Sequence, residues 1–470
     1  MTRAKLAWAA YGALAGALAL LGTAHWIWAV TVRGPVLYGE GAVAHAAILA
    51  RDRLEYTFTA RYGDVTPIFT AANYPPLYFH VAGLGDDPFF TGRIASIAAT
   101  LFVAGAIAWR ARPAGWLVAA VIALAWLGSV PVLQWGAAVK PDLVALAFTV
   151  GAVMALDRSR PRHALAGALV GIAAMAKPTA LLPALAMFVF VARTDPRAAL
   201  RALGAGLASA LVVALLTRGI DKASKVHIFD WNALPWHLDL AASLVLLALV
   251  LLAVPLITIA VTRPSRTIVT AYAIGAFGVV LLGGREGATI NYLLDLSAAA
   301  ALAVAGRAPL LALGARYPLA AIAQAAVAVL LLNPFGIVPG RVVTTGAWSD
   351  PARIAAVRDI PGLLLIEDSG LLVANGREPL VDDIFLWSRV YAHSKETREQ
   401  FLEGERLLVR VRARQFDAIV SEAALESLDQ VGGYERQRWH PDLVAAILEG
   451  YTRRPTAGLV DPALFVYTRR

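Results

Sequence analysis

Long apolar runs separated by short polar connections make up the first two-thirds of the chain. Most of them approach the roughly 20 residues that an α-helix needs to cross a bilayer, which is typical of a multi-pass membrane protein. We predict about eleven membrane helices within residues 1–338. Their positions are 6–30, 94–109, 114–133, 142–157, 164–176, 178–192, 198–216, 240–262, 268–283, 291–306 and 317–338.

Two parts of this pattern are ambiguous. The run 6–30 is long for the apolar part of a secretory signal, and no small-residue cleavage site follows it, so we predict a retained helix. The stretch 164–192 is interrupted by Lys177-Pro178, which we interpret as an outer turn between two short helices. The alternative is one kinked crossing, which would reverse the orientation of every later helix.

Arginine sets the predicted orientation. Alternate connections carry mostly arginine, whereas the connections between them mix signs, as in Lys140 with Asp142. Because cytoplasmic loops are enriched in Lys and Arg, the arginine-rich set is predicted to be cytoplasmic. The N-terminus is then cytoplasmic, and the first long loop (31–93) and the C-terminal segment lie outside the inner (plasma) membrane.

The composition changes at about residue 339. Short apolar runs at 363–366, 416–420 and 465–467 predict buried strands, and residues 395–413 predict a charged amphipathic helix. The fold class is therefore an α-helical multi-pass membrane protein (1–338) with a small extracytoplasmic α/β domain (339–470). We interpret Glu367-Asp368 and Asp382-Asp383 in this domain as ordinary surface turns.

Composition supports the membrane assignment and excludes several functions. Of the 470 residues, 59% are hydrophobic and 16% charged, with a mean hydropathy of +0.63, whereas soluble domains carry about 25% charged residues. The net charge of +9 comes from arginines scattered between apolar runs, so no single basic face suggests nucleic-acid binding. The chain has no cysteine, its histidines lack ligand spacing and it has no glycine-rich phosphate loop. We therefore predict no metal site and no nucleotide-driven reaction.

Candidate chemistry begins in the first loop. Glu40 lies between two glycines, Tyr74-Pro75-Pro76-Leu77-Tyr78 forms an aromatic turn, and Arg93 opens the next helix. Each has a structural alternative: a solvated carboxylate, an interfacial aromatic anchor and an interfacial arginine whose charge reaches water.

Three further polar sites are predicted at the same membrane face. They are Lys140-Pro141-Asp142, Lys177-Pro178-Thr179, and Arg285-Glu286 followed by Asn291-Tyr292. Cations beside carboxylates suit a phosphate-linked donor and an acceptor hydroxyl that must lose a proton. We expect Arg93, Lys140, Lys177 and Arg285 to bind the donor phosphate, Glu40 and Asp142 to be catalytic, and Tyr74, Tyr78, Asn291 and Tyr292 to contact substrate.

In order and spacing, these motifs resemble the GT-C class of integral-membrane glycosyltransferases. The resemblance covers roughly residues 31–300 and is greatest to the branch with glycosyltransferase-39-like proteins, protein O-mannosyltransferases and the lipid A aminoarabinose transferase. It implies a polyprenyl-phosphate sugar donor, reaction at the outer membrane face with inversion, and Glu40 as the base or acceptor-binding acid. Many relatives have two adjacent acids in the first loop, whereas here Gly39 precedes Glu40; Asp142 is a candidate replacement. The gap leaves divalent-metal use, seen in some relatives, without support.

We therefore predict a glycosyltransferase that moves a sugar from a polyprenyl-phosphate donor to an extracytoplasmic glycan, lipid or protein acceptor, without a cofactor. The alternatives are a membrane transporter or lipid flippase, and a scaffold that presents the C-terminal domain. Transporters place polar groups near the bilayer midplane, whereas here they are predicted near one face, which favours the enzyme.

Overall fold

The computed structural model describes residues 3–53, 69–219, 224, 226–262, 267–306, 324, 351–394, 407–430, 438–454 and 464–470. Ten of the predicted apolar runs fall in these ranges and are helical, while the run 317–338 lies outside them apart from Gln324. The helices of the first 306 residues are α1 (Arg3–Thr31), α2 (Glu40–Arg53), α3 (Leu77–Ala82), α4 (Pro88–Ala111), α5 (Trp116–Leu127), α6 (Val130–Trp135), α7 (Asp142–Leu156), α8 (His163–Ala176), α9 (Leu181–Ala192), α10 (Pro196–Leu216), α11 (Leu238–Leu251), α12 (Ala253–Thr262), α13 (Ile268–Leu282) and α14 (Leu294–Ala305).

Few of these helices are long enough to cross a membrane unaided. Within the described ranges, three helical stretches have the length and apolar composition to do so: Ala10–Thr31, Pro88–Ala114 and Pro196–Leu216. The pair α11 and α12 would make a fourth, although it is bent by 81° at its break. Six further apolar helices are shorter, so the count of eleven crossings stays a prediction.

The ambiguous stretch at Lys177-Pro178 forms two helices. α8 ends at Ala176, Lys177 is extended (φ −150°, ψ 122°), and Pro178–Ala180 forms one 3₁₀ turn before α9. Proline disfavours helical geometry in the residue before it, which explains the break at Lys177. The break sets the Lys177 side chain at a helix end.

The C-terminal segment contains a mixed four-stranded sheet. Its strands are β1 (Leu364–Ile366), β2 (Ala418–Ser421), β3 (Tyr451–Arg453) and β4 (Phe465–Arg469), in the order β1-β2-β4-β3. β1 pairs with β2 in parallel, and β4 pairs antiparallel with both β2 and β3. The described helices beside it are α15 (Pro351–Arg358), α16 (Gly370–Val373), α17 (Ile384–Ser394) and α18 (Pro441–Gly450).

The predicted strands of this segment coincide with β1, β2 and β4. Residues 395–406 of the predicted amphipathic helix lie outside the described ranges, and 407–412 are helical. Trp387, Phe416, Tyr451 and Tyr467 of this segment are almost fully buried, in an apolar core that also includes Phe69 and Trp231 from the first 306 residues.

The first loop joins the helical part to this sheet segment. His45 Nδ1 on α2 lies 2.6 Å from Asp382 Oδ1, and Ala71 N donates a hydrogen bond to Asp382 Oδ2 at 2.9 Å. Phe69 forms an isolated parallel bridge with Val381. The sheet segment is thereby docked over the end of the helices where the candidate residues lie.

Candidate active site

A cavity of about 1530 Å³ lies between the helix ends and the sheet segment. Its helical side is formed by the first loop at 35–39, the loop before α7, the Lys177 break and residues 285–292. Its opposite side is formed by residues of the sheet segment. Side chains from distant parts of the chain therefore meet in one hollow.

Three of the predicted phosphate-binding cations line this cavity: Lys140, Lys177 and Arg285. Lys140 Nζ donates to the backbone oxygen of Gly39 at 2.7 Å. Arg285 donates to the backbone oxygen of Asn232 at 2.9 Å and to the Tyr292 hydroxyl at 2.8 Å. Among the described residues, only Lys177 of the three has a carboxylate partner. The helical side of the cavity is therefore cationic.

Asp142 binds Lys177, one of these three cations. Its Oδ1 accepts hydrogen bonds from Lys177 Nζ at 2.5 Å and from Asn291 Nδ2 at 2.8 Å. The side chain is 5% exposed, and it lines a small separate void rather than the main cavity. The structure therefore places Asp142 against Lys177 and Asn291, outside the cavity in which a catalytic group was expected.

Glu40 and Arg93 form a buried ion pair away from the cavity. Both side chains are 0% exposed, and Arg93 Nη2 lies 2.8 Å from Glu40 Oε2. Glu40 also accepts from the backbone N–H groups of Val36 and Val139, each at 2.7 Å. Its carboxylate accepts three hydrogen bonds and does not line the cavity, so the structure places Glu40 in a buried ion pair rather than where a base was expected.

Arg93 is equally occupied. Besides Glu40, its guanidinium donates to the backbone oxygens of Ala29, Val32 and Gly34 at 2.8, 2.6 and 2.5 Å. These bonds join the C-terminal end of α1 to α4. Arg93 does not line the cavity. It joins α1 to α4, whereas a phosphate ligand was predicted at this position.

The predicted substrate-contacting residues divide in the same way. Tyr74, Asn291 and Tyr292 line the cavity. Tyr78 is 0% exposed, and its hydroxyl donates to the backbone oxygen of Gly92 at 3.0 Å. Tyr78 is therefore part of the core between α3 and α4, which corrects that prediction.

The sheet segment contributes acids to the cavity, and two of them, Asp368 and Asp383, belong to the pairs interpreted from the sequence as surface turns. Asp368, Asp383 and Glu422 line the cavity, together with Arg353 and Arg438. Glu422 is ion-paired to Arg353, and to Arg438 at 2.6 Å. Burial and the nearby Glu422 carboxylate raise the pKa of Asp368 to about 7. Among the described residues, the cavity thus has three cations on its helical side, and three carboxylates with two arginines on the sheet side.

One wall of the cavity is apolar. Leu181, Phe229 and Leu282 line it and are 54, 64 and 42% exposed. Exposed apolar surface of this kind is typical of a ligand-binding groove or a membrane interaction site. Within the described part of the chain, no group of three or more His, Cys, Asp or Glu side chains is arranged to hold a metal ion.

The helices and the docked α/β segment share their fold with a solved structure of the class that the sequence resembles, so the resemblance is confirmed for the fold. The solved structure of ArnT from Cupriavidus metallidurans bound to undecaprenyl phosphate superposes with a TM-score of 0.56 at 14% identity, covering 96% of this chain and 97% of that one. ArnT in the apo state gives 0.55 at 13% identity, covering 96% of each chain.

The Archaeoglobus fulgidus oligosaccharyltransferase in the apo form is more distant, with a TM-score of 0.47 at 13% identity over 98% of this chain and 74% of that one. No protein-family model matches the sequence, and no curated protein matches it significantly. The likeness established by these comparisons is therefore one of fold.

Proposed function

We propose that this protein transfers a sugar from a lipid-phosphate carrier to a hydroxyl acceptor at the membrane surface. The observation that carries the proposal is the shape and charge of the cavity. Cations lie at the helix ends, and exposed apolar side chains line the same cavity. A polyprenyl phosphate has these same two parts, an anionic head and a long alkyl chain.

The cations suit the departing group. As the acceptor oxygen attacks the anomeric carbon, the bond from that carbon to the phosphate oxygen breaks and its electron pair leaves with the lipid phosphate. Lys140, Lys177 and Arg285 face the place where this negative charge grows, and donors already in position stabilise it without reorganisation. Because Lys140 and Arg285 have no carboxylate partner among the described residues, their charge is available to the phosphate.

The fold agrees with this chemistry. ArnT, whose fold the chain shares, was solved with undecaprenyl phosphate bound. We propose the same class of carrier here, and an outer-face orientation in the plasma membrane with the sheet segment outside. A transporter or flippase would bind the same lipid but would leave the bond between sugar and phosphate intact.

Binding of undecaprenyl phosphate to the purified full-length protein tests the cation site. We expect Lys140→Met to weaken binding roughly 10- to 150-fold, because a hydrogen bond to a charged group contributes about 1.5–3 kcal/mol. Arg160→Met is the control, since Arg160 is an exposed residue of the connection between α7 and α8. Equal affinity for undecaprenol and undecaprenyl phosphate, or an unaffected Lys140→Met variant, would overturn the assignment.

Sugar transfer itself is measured as release of undecaprenyl phosphate from a panel of undecaprenyl-phosphate hexoses and pentoses, with water or glycerol as acceptor. We expect turnover of at least one donor by the wild-type protein. Tight binding of every donor with no release of any sugar would favour the flippase and contradict the enzyme.

A further inference from the structure

One carboxylate of the sheet segment faces the cationic side of the cavity. Asp383 lies immediately before α17, and its Oδ1 accepts hydrogen bonds from the Tyr38 hydroxyl at 2.8 Å and from Leu386 N at 3.0 Å. Both bonds end on the same oxygen, so they fix the carboxylate in place. Its Oδ2 lies on the side of Gly39 and the first loop.

Gly39 shows how close this carboxylate comes to the cations. Its backbone is left-handed (φ +77°), and a Cβ at this position would lie 2.9 Å from Lys140 Nζ and 3.9 Å from Asp383 Oδ2. Lys140 Nζ and Asp383 Oδ2 are therefore at most 6.8 Å apart, the sum of these two distances. An anion bound to Lys140 and a hydroxyl group bound to Asp383 would then be neighbours, since each hydrogen bond spans about 2.6–3.2 Å.

Four other carboxylates in or near the cavity have partners of their own. Glu40 is fully buried and accepts three hydrogen bonds, and Asp142 holds Lys177 and Asn291. Glu422 is ion-paired with Arg353 and Arg438, and Glu286 lies within 4 Å of His237 and Arg389. Asp368 also lines the cavity and accepts a hydrogen bond from Gly370 N at 3.0 Å. Among the described carboxylates that line the cavity, Asp383 is the one whose distance from Lys140 Nζ is bounded, at 6.8 Å or less.

From this geometry we infer that Asp383 is the catalytic base of the proposed sugar transfer, supplied by the sheet segment rather than by the first loop. The inference rests on the proposed function. Asp383 Oδ2 takes the proton of the acceptor hydroxyl while the acceptor oxygen bonds to the anomeric carbon. The bond from that carbon to the phosphate breaks, and the electron pair leaves on the lipid phosphate beside Lys140.

The electrostatic surroundings are consistent with this role. Burial raises the pKa of Asp383, although Leu386 N–H, the Tyr38 hydroxyl, Lys140 and Arg438 all act to lower it. The net shift is upward, toward working pH, where a general base is most effective. Tyr38, Lys140 and Arg438 act on it from the first loop, the loop before α7 and the loop before α18, and Tyr74 also interacts with it electrostatically.

The test compares Asp383→Asn with wild type in the release of undecaprenyl phosphate from the donor panel, using the full-length protein. We expect kcat to fall 10²- to 10⁴-fold while binding of undecaprenyl phosphate and the melting temperature change little. The rise of kcat with pH that reports deprotonation of the base should disappear. In Asp383→Ala, added formate should restore part of the rate, which a purely structural role would not allow.

Two further variants sharpen the result. Asp359→Asn removes an exposed acid of the same segment and should behave as wild type, and Asp368→Asn tests the neighbouring cavity carboxylate. Full activity of Asp383→Asn, or a loss seen only in Asp368→Asn, would overturn the inference and leave the proposed function intact. No release by the wild type from any donor would overturn the proposed function and the base role together.

Discussion

The substitution Glu40→Gln separates a structural role for this residue from the catalytic role that its sequence context predicts. Glu40 accepts three hydrogen bonds, from Val36 N, Val139 N and Arg93 Nη2. Glutamine has nearly the same shape but only one acceptor oxygen, and its amide nitrogen would face donors. The substitution therefore removes the negative charge and at least one hydrogen bond while leaving the volume unchanged.

The expected loss of stability is large because both partners are 0% exposed. Removing one member of a buried ion pair costs about 3–5 kcal/mol, and leaving a buried donor without an acceptor costs about 1–3 kcal/mol. Arg93 keeps three backbone carbonyl partners, so we take the lower ends, about 4 kcal/mol in total. This is a substantial part of the 5–15 kcal/mol that typically separates folded from unfolded protein.

Thermal unfolding of the detergent-purified variant measures this loss, and kcat per folded molecule is measured alongside. We expect a clearly lower melting temperature and yield for Glu40→Gln with kcat close to wild type. Asp52→Asn is the control, because Asp52 lies near the end of the same helix and its side chain is 50% exposed. A Glu40→Gln protein with the melting temperature of wild type but no sugar transfer would refute the argument and restore Glu40 as the base.

Two more predictions follow from the contacts of the first loop. Burial lowers the pKa of His45, but Asp382 and Glu378 raise it by more, to about 9. The pKa of His45 is therefore higher in the folded protein than its unfolded value of about 6.5. Its contribution to the free energy of unfolding, of order 3 kcal/mol, is complete below pH 6.5 and lost as the pH rises through 9. The melting temperature should fall over that interval in wild type and much less in His45→Gln, and equal slopes would contradict the assignment. Gly39→Ala should strain the left-handed backbone and displace Lys140, lowering both stability and affinity for undecaprenyl phosphate. Gly376→Ala has a similar φ of +66° and open space around its Cβ, so it should lower stability alone; equal lipid affinities in the two variants would contradict the displacement.

The helices could be predicted from the sequence because a membrane helix is specified by an apolar run of known length. The same signal does not specify where a run bends. The run 240–262 is broken into α11 and α12 at Leu252, with Pro255 in the first turn of α12. Proline is tolerated in a first turn but lacks the N–H that would continue the preceding helix, so this break had a signal in the sequence that hydropathy alone misses.

The cations of the site were predictable for a related reason. Lys140 and Lys177 each precede a proline near a helix end, and helix ends are where a charged side chain in a membrane protein reaches water. Glu40 also lies at a helix end, with a glycine on each side. Its environment is set instead by Val139, which is 99 positions away in sequence. Residue type and spacing predicted that these residues lie at one end of the helices but not the direction of the Glu40 side chain.

The acids of the sheet segment could not be assigned from the sequence, because their surroundings arise only on docking. A pair such as Asp382-Asp383 after a short apolar run is normally a solvated turn. Here Asp382 is held by His45 and by Ala71 N, and Asp383 accepts from Tyr38, which is 345 positions away. Contacts of that range are not contained in any local pattern.

Gly39 and Asp383 explain together how the site can work without a second acid in the first loop. A side chain at position 39 would project between Lys140 and Asp383, since its Cβ would lie within 4 Å of both. An acid there would bring two carboxylates close together, and like charges at such a distance disfavour ionisation of both. A carboxylate from the first loop and one from the sheet segment are therefore alternatives for the same place. With glycine at position 39, the charge beside Lys140 comes from Asp383, so the proposed active site is complete only when the sheet segment is docked on the helices.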